Sequence, residues 1–537
     1  MNFVLGLLSI ALVVPGPSWL GEGDHVDKRL GFQMEVPKDW SQIPLSTNER
    51  YLVGRYESKK EYNDTEKGTG YTRNHKPTLT MIAFQEEVEE SITSEDTGEE
   101  GEKEKKATIT FSNPYEDYLD YLKKKTSGTG WFIEAETEVE THGIKAIFYD
   151  IKIEKSTGSP MRIYTWVYQL PDVDVAVEYI FFESVLGKLK KPLLSSFKSF
   201  KAVEITEERM SHSVDFFDLF TSAKTPKERK EIRIKVVEDQ RKRAVENLPD
   251  DWTFKEMGKF FVLNHSDDRQ AKKVVGQLTA MFKWMDKTFP YVGPEEYVRS
   301  PIVRICASSG EERSFKRGSS WTFTNIEILT HKSESGSASY EWGYINRRAA
   351  AFWFNERDRN LWRNAPPWLD NGLNRMLHSA TAKGTKMIFE ADPFELDGIR
   401  EAQRNDTLTS PSRLLRMPLE DYNDNETLYR ESGSFVRWLM VGKGSKSRLT
   451  KNLVRDLLAH LGDVLDEREE KSEEEDEDDE EDSGPTTEAE EDEEFKKGSE
   501  ERNKRFQELL DEVIQRTFSD WTDKDWKALD KAYLRSL

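Results

Sequence analysis

The sequence predicts an α+β protein of more than one domain, and three observations carry that reading. Short apolar runs alternating with period 2 fill residues 27–203, runs with a 3.6-residue period dominate 251–537, and a charge-rich stretch, 204–250, separates them. An antiparallel sheet with flanking helices, a helical connector, and a mixed sheet plus helices are therefore expected in that order. At 537 residues, 36% of them hydrophobic and 11% aromatic, the chain is long enough to build two cores.

The chain opens with the apolar run NFVLGLLSIALVV, followed by Pro15, Gly16 and Pro17. The run has the length of a signal-peptide core and is short for a membrane span. Residues 1–21 are expected to be a signal peptide or amino-terminal anchor. The mature chain is then expected outside the cytoplasm, secreted, periplasmic or in the cell envelope, with no membrane span after signal removal.

Residues 27–203 hold the strand-like runs LGFQMEV, TLTMIAF, ATITF, GIKAIFYDIKI, MRIYTWVYQL and VAVEYIFF. FSNPYEDYLDYLKKKT has a helical pattern and LKKPLLSSFKSFK reads as a closing helix. The polar segment from Gln85 to Lys106 reads as a mobile insertion between strands, because its composition cannot bury a core. Residues 204–250 mix Lys, Arg and Glu in helical stretches and read as a solvated helical linker.

The second half begins with the strand KFFVLN and a helix carrying Val274, Val275, Leu278, Met281, Phe282 and Met285 on one face. PIVRICAS and TFTNIEILTH supply two further strands. Cys306, the only cysteine, sits in the first of these; it excludes an intrachain disulfide and reads as a buried, inert thiol. Between Glu473 and Glu494 the sequence has sixteen acids and no base, so most of the net charge of −22 is local. A segment at about 467–500 is expected to be a disordered acidic insertion between two helices. Such a balance disfavours nucleic acid, and none is expected as a partner, since phosphate recognition asks for a basic face.

Chemistry concentrates in Glu341–His378. Trp342, Ile345, Ala349, Phe352 and Trp353 recur at helical spacing, and Asn346 and Ala350 stand one turn apart. A second helix starts at Pro366-Pro367 and carries Trp368, Leu369, Gly372 and Leu373. This pair resembles the core of gluzincin-like, peptidase MA-like secreted bacterial metallopeptidases. The later run Tyr429, Ser432, Phe435, Val436, Trp438 and Leu439 resembles a further helix of that family.

In a zinc peptidase helix two imidazoles at i and i+4 meet one ion, and the Glu between them activates bound water. The matching positions here are Asn346, Arg347 and Ala350, and the family's third ligand, a Glu, corresponds to Asn371. The resemblance thus implies a degenerate site with no catalytic residue, no metal and no cofactor. Amino-terminally, Gly31, Phe32, Pro37 and Trp40 together with Ser196–Phe200 resemble PsbP-like, DcrB-like and Mog1-like α/β sandwiches, whose members mainly bind or assemble.

An exported pseudo-metallopeptidase that binds peptides or protein partners is the expected function. Its cleft is expected to involve Ile326, Ile328, His331, Arg347 and His378, with the IEIL strand accepting a peptide by strand addition. The alternative is an active secreted hydrolase or metallopeptidase rebuilt around His331, His378 and nearby acids.

Overall fold

A computed structural model describes residues 23–537 apart from 48–50, 66–69, 71, 86–87, 94–105, 112–114, 127–129, 155–158, 207–224, 247, 294–298, 317–326, 333–337, 424 and 476–487. The expected leader, Ile326, and most of the acidic tract's centre lie outside the described residues. The chain divides into two units, Met1–Asp218 with Glu246–Pro249, and Leu219–Val245 with Asp250–Leu537.

In the first unit, strands β1 (Asp24–Asp27), β2 (Phe32–Glu35), β3 (Trp40–Gln42), β4 (Leu52–Ser58), β5 (Tyr62–Thr65), β6 (Thr72–His75), β7 (Thr78–Gln85), β8 (Val88–Thr93) and β9 (Lys106–Phe111) precede helix α1 (Tyr118–Lys125). Then come β10 (Trp131–Thr141), β11 (Ile144–Ile153), β12 (Met161–Leu170), β13 (Val173–Phe182), α2 (Leu186–Lys198) and β14 (Lys201–Ala202). A seven-stranded antiparallel sheet runs in the order β10-β11-β12-β13-β7-β4-β3.

Both faces of this sheet are covered, which is why β12 is buried along most of its length. Tyr118, Tyr121 and Leu122 of α1 cover Tyr149, Ile151, Ile163 and Val167, whereas Leu189, Leu193 and Phe197 of α2 cover Trp166, Tyr168, Val175 and Val177. The β10–β11 turn is His142-Gly143, both at positive φ (49° and 77°), the conformation that a two-residue hairpin with native twist requires. Within this interior Glu178 is fully buried, held by Lys125 Nζ at 2.9 Å and by the Tyr118 hydroxyl at 3.0 Å. A buried carboxylate needs both kinds of partner.

The second unit comprises α3 (Pro226–Glu246), β15 (Thr253–Met257), β16 (Phe260–Asn264), α4 (Asp268–Thr288), β17 (Ile302–Cys306), α5 (Ser309–Lys316), β18 (Glu327–His331), α6 (Ala338–Arg363) and α7 (Pro367–His378). The hairpin β19 (Ala380–Lys383) and β20 (Lys386–Phe389) follows, then α8 (Pro393–Arg404), α9 (Pro411–Leu414), α10 (Leu419–Asn423), α11 (Glu426–Met440), α12 (Leu453–Glu475), α13 (Glu488–Thr517) and α14 (Asp523–Leu534). Its sheet is mixed, as expected: β15 is antiparallel to β16, and β16, β17 and β18 are mutually parallel. α4 is the crossover between β16 and β17; Asp267 caps its first turn by accepting from Gln270 N. α6 breaks at Asp358, whose carboxylate accepts from Leu361 N at 2.8 Å and so starts a new helical turn.

Three segments differ from expectation. The Gln85–Lys106 insertion contributes strand β8, which pairs with β9, the strand of the ATITF run, because Val88, Ile92 and Thr93 supply strand-forming residues ahead of 94–105. The stretch 204–250 contains α3, which packs within the second unit and buries Arg233, Val237, Arg243 and Ala244; Arg233 donates to Glu356 O at 2.6 Å. The acidic segment is helical up to Glu475 and again from Glu488, consistent with the high helix propensity of Glu.

Candidate functional site

The two helices that carry the peptidase-like pattern do pack together, and their contact is built on one small residue and one amide. Gly343 lies where any Cβ would come within 2.6 Å of His378 Cδ2 and 2.7 Å of His378 O, so only glycine lets α6 approach the end of α7 this closely. One turn on, Asn346 is fully buried, and both its donors and its acceptor oxygen are directed at structure. Its Nδ2 donates to Leu377 O at 3.0 Å and Ala380 O at 2.7 Å, while Gln277 Nε2 of α4 donates to its Oδ1 at 2.8 Å. Gln277 completes the knot by donating to Ala380 O at 3.2 Å and accepting from Ala382 N at 2.7 Å.

Ala350, a further turn along, is buried in the apolar core and offers no donor atom to a metal. Asn371 sits elsewhere on α7: its side chain bonds the Tyr422 hydroxyl, which also meets Ser432 Oγ at 2.9 Å. The two asparagines therefore serve different partners, Asn346 at the end of α7 and Asn371 toward α10 and α11. Beside Asn371, burial pushes the Asp370 carboxyl up to about 6, although Asn374 Nδ2 donates to it at 3.0 Å. α7 and α11 approach closely at Gly372, where a Cβ would meet Val436 Cγ2 at 2.4 Å and Ser432 O at 2.7 Å.

Arg347 is exposed on α6 and influences His378: burial first, then the Arg347 and Arg375 cations, hold that imidazole below its ordinary pKa, with Glu395 and Asp392 opposing. His331 belongs to a different group. At the end of β18, its Nδ1 lies 2.5 Å from Glu312 Oε2, and Glu312 also binds Lys316. Lys316 Nζ donates to the Tyr344 hydroxyl at 2.9 Å, and the buried Arg348 guanidinium stacks 3.7 Å over the Tyr344 ring. Burial lowers the Arg348 pKa to about 9 against the pull of Glu312.

Ile328 is buried in the core, so its side chain faces inward. β18 ends the order β15-β16-β17-β18, and among the described residues no strand pairs with its outer edge. Next to it, Arg304 of β17 and Glu327 form a fully buried ion pair at 2.8 Å. Cys306 is buried, and burial raises its thiol pKa well above the ordinary range, in keeping with an inert sulfur. Among the described residues no group of three or more His, Cys, Asp or Glu side chains is placed to hold a metal ion.

Two contributors were not singled out from sequence. Gln277 carried a signal, a polar residue on the same apolar face as Val274, Leu278 and Met281. Glu312 carried none, since the short helix α5 shows nothing to mark one carboxylate from another.

The sequence matches no known protein family and no characterised protein. Among solved structures, part of the chain is similar to a cyanobacterial PsbP, CyanoP from Synechocystis, at 9% identity over 35% of this chain and 99% of that one, with a TM-score of 0.23. It is likewise similar to LpqN, described as involved in cell envelope biogenesis of Mycobacterium tuberculosis, at 11% identity over 32% of this chain and 83% of that one, with a TM-score of 0.20. No helix among the described residues is long and apolar enough to cross a membrane.

Proposed function

We propose that the chain is an exported, non-catalytic protein of pseudo-metallopeptidase type, whose second unit binds an extended peptide or a segment of a protein partner. The observation that supports this most is Asn346. At the position where a zinc peptidase carries its first ligand, the side chain is fully buried and spent on tying α4, α6 and the end of α7 together. A residue so employed has become part of the scaffold.

Strand addition at β18 is the binding mode favoured. β18 is the last strand of its sheet among the described residues; Glu327–Thr330 are buried and Arg348 Nη1 donates to Leu329 O at 3.4 Å, so pairing with a peptide would require that edge to open. Hydrogen exchange on the full chain tests it: amides of Glu327–His331 should slow on addition of extended peptides. Unchanged exchange across β18 at millimolar peptide would overturn the proposal.

A rebuilt hydrolase is the second reading, favoured by the His331–Glu312 contact at 2.5 Å. Peptide cleavage by the full chain that disappears on His331→Ala would establish it in place of the first.

A further inference from the structure

A second feature of this unit lies at the junction of α11 and α12, away from the peptidase-like helices' candidate residues. Here Thr288, Tyr291, Leu439, Met440, Ser445, Thr450, Lys451 and Arg455 are among the residues that line a cavity of about 200 Å³. We propose that this cavity is a binding site for a small phosphate-type oxyanion, free or carried on a compact organic molecule.

Charge is the first reason. Between Lys443 and Arg455 the chain places five cations, Lys443, Lys446, Arg448, Lys451 and Arg455, and no acid, in a protein whose net charge is −22. Asp456 pairs with Arg455 at 2.7 Å, while among the described residues no carboxylate forms an ion pair with Lys443, Lys446, Arg448 or Lys451. Of the five, Lys451 and Arg455 line the cavity itself, and the others follow one another in the loop that leads into it, so the local potential favours an anion.

Construction is the second. The loop is held in one shape before any ligand arrives. Gly442 and Gly444 lie against Trp438, where a Cβ would meet Trp438 atoms at 2.9 Å and 2.7 Å respectively. Ser445 Oγ donates to Gly442 O at 2.7 Å, and Thr450 Oγ1 donates to Gly444 O at 2.8 Å. Two hydroxyls are thus spent on the loop; Lys451, Arg455 and Tyr291, which also line the cavity, carry the donors that remain for a ligand. Burial raises the Tyr291 pKa, which keeps that hydroxyl a neutral donor. The backbone N–H groups that open α12, a helix of twenty-three residues, add positive potential at the same end. Leu439, Met440 and Val454 give the cavity an apolar wall against which a compact group can pack.

Calorimetric titration of the full chain with inorganic pyrophosphate, in about 0.1 M salt where distant charges are screened, tests the site. Saturable binding is expected, weakened about tenfold or more by Lys451→Met, which keeps the aliphatic stem, and by Arg455→Ala, as loss of a charge-assisted contact implies. Lys190→Ala, on α2 of the first unit, should leave the affinity unchanged. Absence of saturable binding at millimolar pyrophosphate overturns the proposal. So does binding that Lys451→Met and Arg455→Ala leave intact.

Discussion

Replacing Asn346 by Leu tests whether this position is a structural tie. The variant keeps a similar volume but removes three hydrogen bonds: those from Nδ2 to Leu377 O and Ala380 O, and the one accepted from Gln277 Nε2. Ala380 O retains Gln277 as a donor at 3.2 Å, and Leu377 O retains the Ser379 N–H, so neither carbonyl is left without a partner. Three net hydrogen bonds at about 1 kcal/mol each give a loss of about 3 kcal/mol. Asn371→Leu, which removes a bond to Tyr422 from a half-buried site, should cost about 1 kcal/mol. Because a two-unit chain need not unfold in one step, the suitable assay is hydrogen exchange resolved to peptides of α6, α7 and β19. If Asn346→Leu and Asn371→Leu change local opening by the same small amount, the structural role assigned to Asn346 is wrong.

Two further perturbations follow from the same reasoning. His25 is buried, with Nδ1 2.9 Å from the Tyr56 hydroxyl, and burial lowers its pKa from 6.5 to about 4, outweighing Asp27. Folded His25 stays neutral where the unfolded residue takes up a proton, so stability should be full above pH 6.5. It should fall as pH drops from 6.5 to 4, by about 3 kcal/mol in all at 1.36 kcal/mol per unit. Urea unfolding across that window should show a shallower fall for His25→Gln than for the native chain, and equal slopes would refute the assignment. Gly343→Ala should destabilise by about 1–3 kcal/mol, since its methyl group meets His378 Cδ2 and O. Adding His378→Ala should not restore thermal stability, because the backbone oxygen at 2.7 Å remains; full rescue would show that the ring alone sets the contact.

Much of the architecture was legible because periodicity is local. β11, β12 and β13 alternate or stay apolar over ten residues each, and the α6 and α7 segments repeat their apolar residues at helical spacing, so class and order could be read directly. β10 was not legible. Its sequence places Glu134, Glu136, Glu138 and Glu140 at every second residue and only the weakly apolar series Ile133, Ala135, Thr137, Val139 between them, and the strand is exposed along most of its length; pairing with β11 holds it in place. α3 was misjudged for the opposite reason. Its arginines read as solvated, yet Arg233 finds Glu356 O, 123 residues away in the chain.

The sequence by itself determined the α+β class and the succession of a strand-rich half and a helix-rich half. That Asn346, Ala350 and Asn371 are neither His nor Glu was equally legible, since residue identity is a local fact. Only the tertiary structure decided what those residues do. It gave Asn346 to Gln277 and the end of α7, Asn371 to Tyr422, and His331 to Glu312. A buried polar group must find its partner wherever chain closure brings one, and that choice is made between elements far apart in sequence.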